Sequence, residues 1–104
     1  MIARCTEIAK LLDMENPVPD TDVRVDDSVL APGYGQMNDA VANAIKLAAA
    51  REAILVDPVY TGRVMAVAMA AAGKRPRSDR ILVIHTGGSP ALFAYEPEIA
   101  AILD

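Results

Sequence analysis

The stretch Asp57-Pro58-Val59-Tyr60-Thr61-Gly62-Arg63 decides how the chain is read. An apolar run, Ile54-Leu55-Val56, enters it, and a helical pattern from Val64 to Ala72 leaves it. A strand-like entry, a tight turn and a helix start place Tyr60 and Thr61 at the carboxyl edge of a sheet, where open α/β sheets hold their ligands. A second edge of the same kind follows. The unalternating run Ile81-Leu82-Val83-Ile84 suits a parallel strand covered on both faces, and it leads into His85-Thr86-Gly87-Gly88-Ser89-Pro90. These two hydroxyl-bearing edges are the chemistry that the sequence offers.

Helical spacing accounts for most of the remainder. Over residues 2–14, Cys5, Ile8, Ala9 and Leu12 fall on one stripe, and Cys5 reads as a small core residue on it. Asn16-Pro17-Val18-Pro19 ends that helix. Residues 20–27 scatter four aspartates around Val23-Arg24-Val25 without the ordered Asp loop and closing Glu of a calcium site, so a short edge strand or solvated loop is expected. Ala31-Pro32-Gly33-Tyr34-Gly35 is a turn that holds a tyrosine between two glycines. Asn38 is placed to cap a helix over 39–52 whose buried face is Met37, Val41, Ala44, Ile45 and Ala48. Thr61 is expected to cap the next helix, with Val64, Met65, Ala68, Met69 and Ala72 on its core stripe and Gly73 as its stop. The basic stretch 74–80 reads as a solvated connection, and a short helical tail runs from Glu98 to Leu103. The order of elements is that of an α/β fold, helix-rich and incomplete: part of a parallel sheet from a larger domain, with two or three strands.

Composition narrows the class. The 104 residues are 53% hydrophobic and only 4% aromatic, so a packed core is expected but a thin one, because alanine buries little area. A net charge of −4 argues against general nucleic-acid binding, which needs a basic surface. One cysteine and one histidine leave no metal-ligand cluster. The lone cysteine fits a reducing cytoplasm, and no apolar run approaches the ~20 residues of a membrane span. His85 has no nucleophile motif beside it and reads as a structural histidine with a hydrogen-bonded ring. Gly87-Gly88 could form an anion nest, yet no P-loop lysine follows.

Three motifs carry a resemblance: Gly33-Tyr34-Gly35, Asp57 to Gly62, and His85 to Tyr95. In order and spacing they resemble the C-terminal third of the pyridoxal-phosphate family of D-cysteine desulfhydrase and 1-aminocyclopropane-1-carboxylate deaminase, of tryptophan-synthase-β (fold type II) architecture. The likeness covers most of residues 30–95. It implies that residues 1–104 are one C-terminal segment of that family's large domain. Tyr60 then matches a catalytic tyrosine lying by the cofactor ring, and Tyr34 a second catalytic tyrosine near the substrate. Thr61 matches the cofactor-binding residue facing the pyridine nitrogen, and Thr86, with Gly87, the substrate-binding loop.

The resemblance also separates activities within the family. Position 61 is glutamate in the deaminases and a hydroxyl residue in the desulfhydrases; position 86 is leucine in the former and threonine in the latter. A neutral hydroxyl at the ring nitrogen makes a milder electron sink than a glutamate. Both positions are threonine here, which favours β-elimination from D-cysteine to pyruvate, sulfide and ammonia. An L-cysteate sulfo-lyase or a deaminase relative is the alternative, and a non-catalytic, self-associating or partner-binding module the rival from another class. The family's Schiff-base lysine and phosphate loop lie in its N-terminal part and have no counterpart here. The lysines are Lys10, Lys46 and Lys74, and Arg63 stands where lysine is common. Expected partners are therefore a missing N-terminal part or further copies of the chain, with no lyase activity from this chain alone.

Overall fold

Asn38 begins the best-formed element of the computed structural model, which describes residues 1–103. Its backbone is extended and its side-chain oxygen accepts from the Val41 N–H at 3.0 Å. That satisfies one of the orphan donors at a helix start, and α2 runs from Asp39 to Glu52. Its face of Val41, Ala44, Ile45 and Ala48 is buried, as the spacing predicts, with Met37 partly buried beside it. The helix ends where Ala53 takes a left-handed conformation (φ 55°) and the Ile54 N–H turns back to the Ala48 carbonyl. A residue with a Cβ pays about 1–2 kcal/mol there.

The described residues form four further helices. Helix α1 spans Ile2–Leu11, shorter than expected, and α3 spans Thr61–Ala72. The short α4, Ala91–Ala94, is followed by α5, Glu96–Leu103. A single 3-10 turn, Asp20–Asp22, lies within the aspartate-rich loop. The core is α2 against α3, closed by Val56 and by Ile99 and Ile102 of α5. Gly62 makes that crossing possible: a Cβ there would stand 3.2 Å from both Val41 and Ile45 and 2.6 Å from the Asp57 carbonyl oxygen.

Two expectations need correction. The described residues contain no strand. Ile54–Val56 and Ile81–Ile84 are extended segments without a ladder, because a strand exists only against a neighbour that accepts its N–H and C=O groups. Instead of being covered on both faces, Leu55 is 61% exposed, Leu82 86% and Ile84 70%. The stripe on α3 is also displaced. Gly62 and Ala66 are buried with Met65 and Met69 beside them, while Val64 is half exposed and faces a cleft with Ile81 and Leu82.

Helix α1 lies apart from this core. Ala9 is buried, but Ile8 and Leu12 of the same stripe are exposed, and the stripe is covered only by its own returning tail. There Asn16 donates to the Thr6 hydroxyl at 3.3 Å, and Cys5 lines a groove of about 230 Å³ with Pro17 and Val18. The radius of gyration is 16.3 Å, against about 13 Å for a compact domain of ~100 residues. No helix among the described residues is long and apolar enough to cross a membrane.

Candidate functional site

Asp57 builds the turn between the first extended segment and α3. Its carboxylate accepts from the N–H groups of Val59 (2.9 Å), Tyr60 (2.8 Å) and Thr61 (2.9 Å), and from the Thr61 hydroxyl (2.6 Å). Its own carbonyl takes the Gly62 N–H at 2.8 Å. Four successive donors at the helix start thus converge on one residue, and its negative charge sits at the positive end of the helix. The capping expected of Thr61 belongs to Asp57. The Thr61 side chain instead braces it, accepting the Asp57 N–H at 3.0 Å.

Burial by itself pushes the Asp57 carboxyl up, but the Thr61 hydroxyl and the three N–H groups outweigh it and hold it below the usual carboxylate range. The sign for stability follows. A depressed carboxyl stabilises the folded chain above its unfolded value of ~3.9, and that stabilisation is lost as pH falls through the lower, folded value. Thermal melts of wild type and Asp57→Asn should therefore differ most at neutral pH, with the gap narrowing below pH ~4. A gap of constant size across that range would rule out this origin.

Tyr60 leaves the turn toward solvent and meets Tyr34. Their hydroxyls are 2.5 Å apart, with ring centroids at 6.3 Å and planes inclined by 67°. Tyr34 is delivered by the loop 29–36, which three side chains hold, the Asn38 amide among them by donating to the carbonyls of Ala31 (2.7 Å) and Val29 (3.4 Å). The buried Arg63 guanidinium donates to the carbonyls of Val29, Gly33 (2.8 Å) and Gln36 (2.7 Å). The Tyr95 hydroxyl donates to the Gly35 carbonyl at 2.6 Å. Gly35 has φ 72°, and a Cβ there would press on the Tyr95 hydroxyl at 3.1 Å. The hydrogen bond and charge of Tyr34, then burial, Asp57 and Tyr95, raise Tyr60 above the ordinary phenol range. At neutral pH Tyr60 is a proton-holding phenol, able to donate but not waiting as a phenolate.

The second motif arrives from the other side. His85 links the two extended segments, its Nε2 at 3.0 Å from the Leu55 carbonyl and its Nδ1 accepting from the Gly87 N–H at 3.3 Å. Those partners assign the proton to Nε2 and make the ring a strut. Thr86 is exposed and shares with Tyr60 an apolar cleft of about 670 Å³ between α3 and Ile81–Val83. Gly87 is exposed backbone at φ 111°. Gly88, at φ 95°, lies on Asp57: a Cβ there would be 2.4 Å from Oδ1.

The structure thus brings Tyr34 and Tyr60 into contact and sets Thr86 in the same cleft as Tyr60, while Thr61 lies buried beneath them. With its proton given to Asp57, the Thr61 hydroxyl can only accept from a further group. Sequence reasoning missed Asp57 and Arg63 as the residues that hold these parts. The available signal was an Asp-Pro pair three residues before a helix start. The described residues do not by themselves fit pyridoxal phosphate. No lysine lines the cleft of Tyr60 and Thr86, and Lys10, Lys46 and Lys74 are exposed on α1, on α2 and after α3.

No family model matches the chain. Among curated proteins it is 49% identical over 80 residues to D-cysteine desulfhydrases of Salmonella newport, Salmonella enteritidis PT4 and Salmonella gallinarum. Each match covers 75% of this chain and 24% of the relative. The chain therefore spans about a quarter of the length of the relatives it matches.

Proposed function

We propose, for a chain that over most of its length is related in sequence to the D-cysteine desulfhydrases, that it forms the C-terminal wall of a pyridoxal-phosphate-dependent C–S lyase. The complete enzyme would eliminate sulfide from D-cysteine and, with water, release pyruvate and ammonia. The observation that carries this reading is the Tyr34–Tyr60 pair. Two motifs 26 residues apart place their hydroxyls 2.5 Å from one another, beside the cleft that holds Thr86.

Each residue has a part in that reading. Tyr60 and Tyr34 form a proton-holding couple facing the substrate. Thr86 and the open backbone of Gly87 line the amino-acid side. Thr61 offers an accepting oxygen to the cofactor ring, which supplies the electron sink when it is bound. The anchoring lysine and phosphate loop would come from the remainder of the enzyme, which would also supply the missing strands beside Ile54–Val56 and Ile81–Ile84. This arrangement is that of a fold-type-II large domain working in the cytoplasm.

The test is complementation. The purified chain is mixed with the N-terminal part of a related desulfhydrase and pyridoxal phosphate, then assayed on D-cysteine, L-cysteine, L-cysteate and 1-aminocyclopropane-1-carboxylate. Pyruvate and sulfide from D-cysteine, formed only in the mixture, are expected. Sulfite release from L-cysteate alone would move the assignment to a sulfo-lyase, and 2-oxobutyrate to a deaminase. No turnover of any substrate would sink the lyase reading. The exposed Leu82, Ile84 and Phe93 favour as second reading a self-associating module, for which sedimentation would show concentration-dependent dimers or larger species.

A further inference from the structure

We infer that Asp57 is the positioning residue of this site, its buried carboxylate setting Tyr60 against Tyr34 on one side and the Thr86–Gly88 loop on the other. That these residues form a site rests on the function proposed above. The coupling stands on geometry. The Asp57 side chain has no exposure, and neither ion pair among the described residues involves it. One carboxylate oxygen receives the N–H groups of Val59 and Tyr60, and the other receives both donors of Thr61. No cation competes, so the carboxylate's bonds all go to the turn that carries Tyr60. On its far side the backbone of Gly88 leaves no room for a methyl group.

This packing explains why the position wants aspartate. Asparagine would turn an N–H₂ toward backbone donors, leaving at least one buried donor without an acceptor. Glutamate, one methylene longer, would drive its carboxylate into Gly88. A rotation of the carboxylate must therefore shift the Tyr60 turn and the Thr86–Gly88 loop together. The two motifs, 28 residues apart between Tyr60 and Gly88, share a single pivot.

The test reads positions directly. In the full chain labelled with ring-carbon-13 tyrosine, NMR follows the Tyr34–Tyr60 ring contact and the titration of each phenol. Gly88→Ala keeps the carboxylate charge and pushes on Oδ1, the oxygen that receives both donors of Thr61. It is expected to lose the ring-to-ring contact and to bring Tyr60 down toward the ordinary phenol value as the pairing loosens. Thr61→Val, which deletes the two bonds of the hydroxyl with Asp57 and no charge, should act in the same direction if Gly88→Ala fails to fold. An unchanged ring contact and unchanged Tyr60 titration in the folded variant would overturn the proposal. In the complemented enzyme, Asp57→Asn should lower kcat at least ~10-fold while leaving KM for D-cysteine nearly unchanged. A wild-type mixture without turnover, alongside intact coupling by NMR, would reject the lyase reading and uphold the positioning role.

Discussion

Replacing Arg63 with methionine is expected to cost the chain about 2–4 kcal/mol, seen as a fall of roughly 10 °C or more in the thermal midpoint. The buried guanidinium serves three backbone carbonyls, those of Val29, Gly33 and Gln36, and methionine keeps the apolar stem while removing every donor. Charged hydrogen bonds are worth about 1.5–3 kcal/mol each, but water can reach part of this loop once it opens, so the sum is not reached. The loss is large against a total that for a chain of ~100 residues is of order 5–15 kcal/mol. Its local mark is faster amide exchange across residues 33–36. Lysine would restore only part of the stability, since a point charge cannot span the forked set of carbonyls. A melt within ~2 °C of wild type would show that the guanidinium is not what holds the loop.

Gly62→Val is expected to be as damaging, and for the opposite reason. A Cβ at that position meets the Asp57 carbonyl oxygen at 2.6 Å and the side chains of Val41 and Ile45 at 3.2 Å. The carbonyl belongs to backbone held by the Gly62 N–H itself, so it cannot swing aside as a flexible side chain would. Overpacking of this kind costs about 1–3 kcal/mol for one methyl group, offset by up to ~1 kcal/mol from the better helix propensity of alanine. Gly62→Ala should therefore lose about 1–2 kcal/mol. Valine adds two further methyl groups and should separate α2 from α3 altogether. Denaturant unfolding of both variants checks the order. A valine variant as stable as wild type would mean that the helices are not in contact at this point.

Helix α2 was legible because its signals are local. Asn38 caps it, and a period of 3.6 places Val41, Ala44, Ile45 and Ala48 on one face whatever they pack against. The three motifs were legible as motifs, and the family they point to is that of the sequence relatives. The sheet was not recoverable from this chain. The apolar runs at 54–56 and 81–84 have the composition of buried strands, yet pairing is a relation between segments, and here each lacks a ladder partner. Asp57 and Arg63 were missed for a related reason. Their partners are backbone groups, which every residue carries, so no residue type marks them. A buried charge that satisfies carbonyls or N–H groups leaves no complementary charge in the sequence to pair it with.

The ties that converge on the tyrosine pair have a consequence for proteolysis. Three of them cross the basic connection at residues 74–80, which is exposed throughout. On one side lie Gly35, Leu55 and Asp57; on the other lie Tyr95, His85 and Gly88, which bond to or lie on them. Ile99 and Ile102 add apolar contact from the same far side. Trypsin acting at Lys74, Arg77 or Arg80 should therefore sever the chain without dispersing it, and the two peptides should travel together through gel filtration until denaturant is added. The molecule behaves as a hinge-free clasp whose connecting thread can be cut.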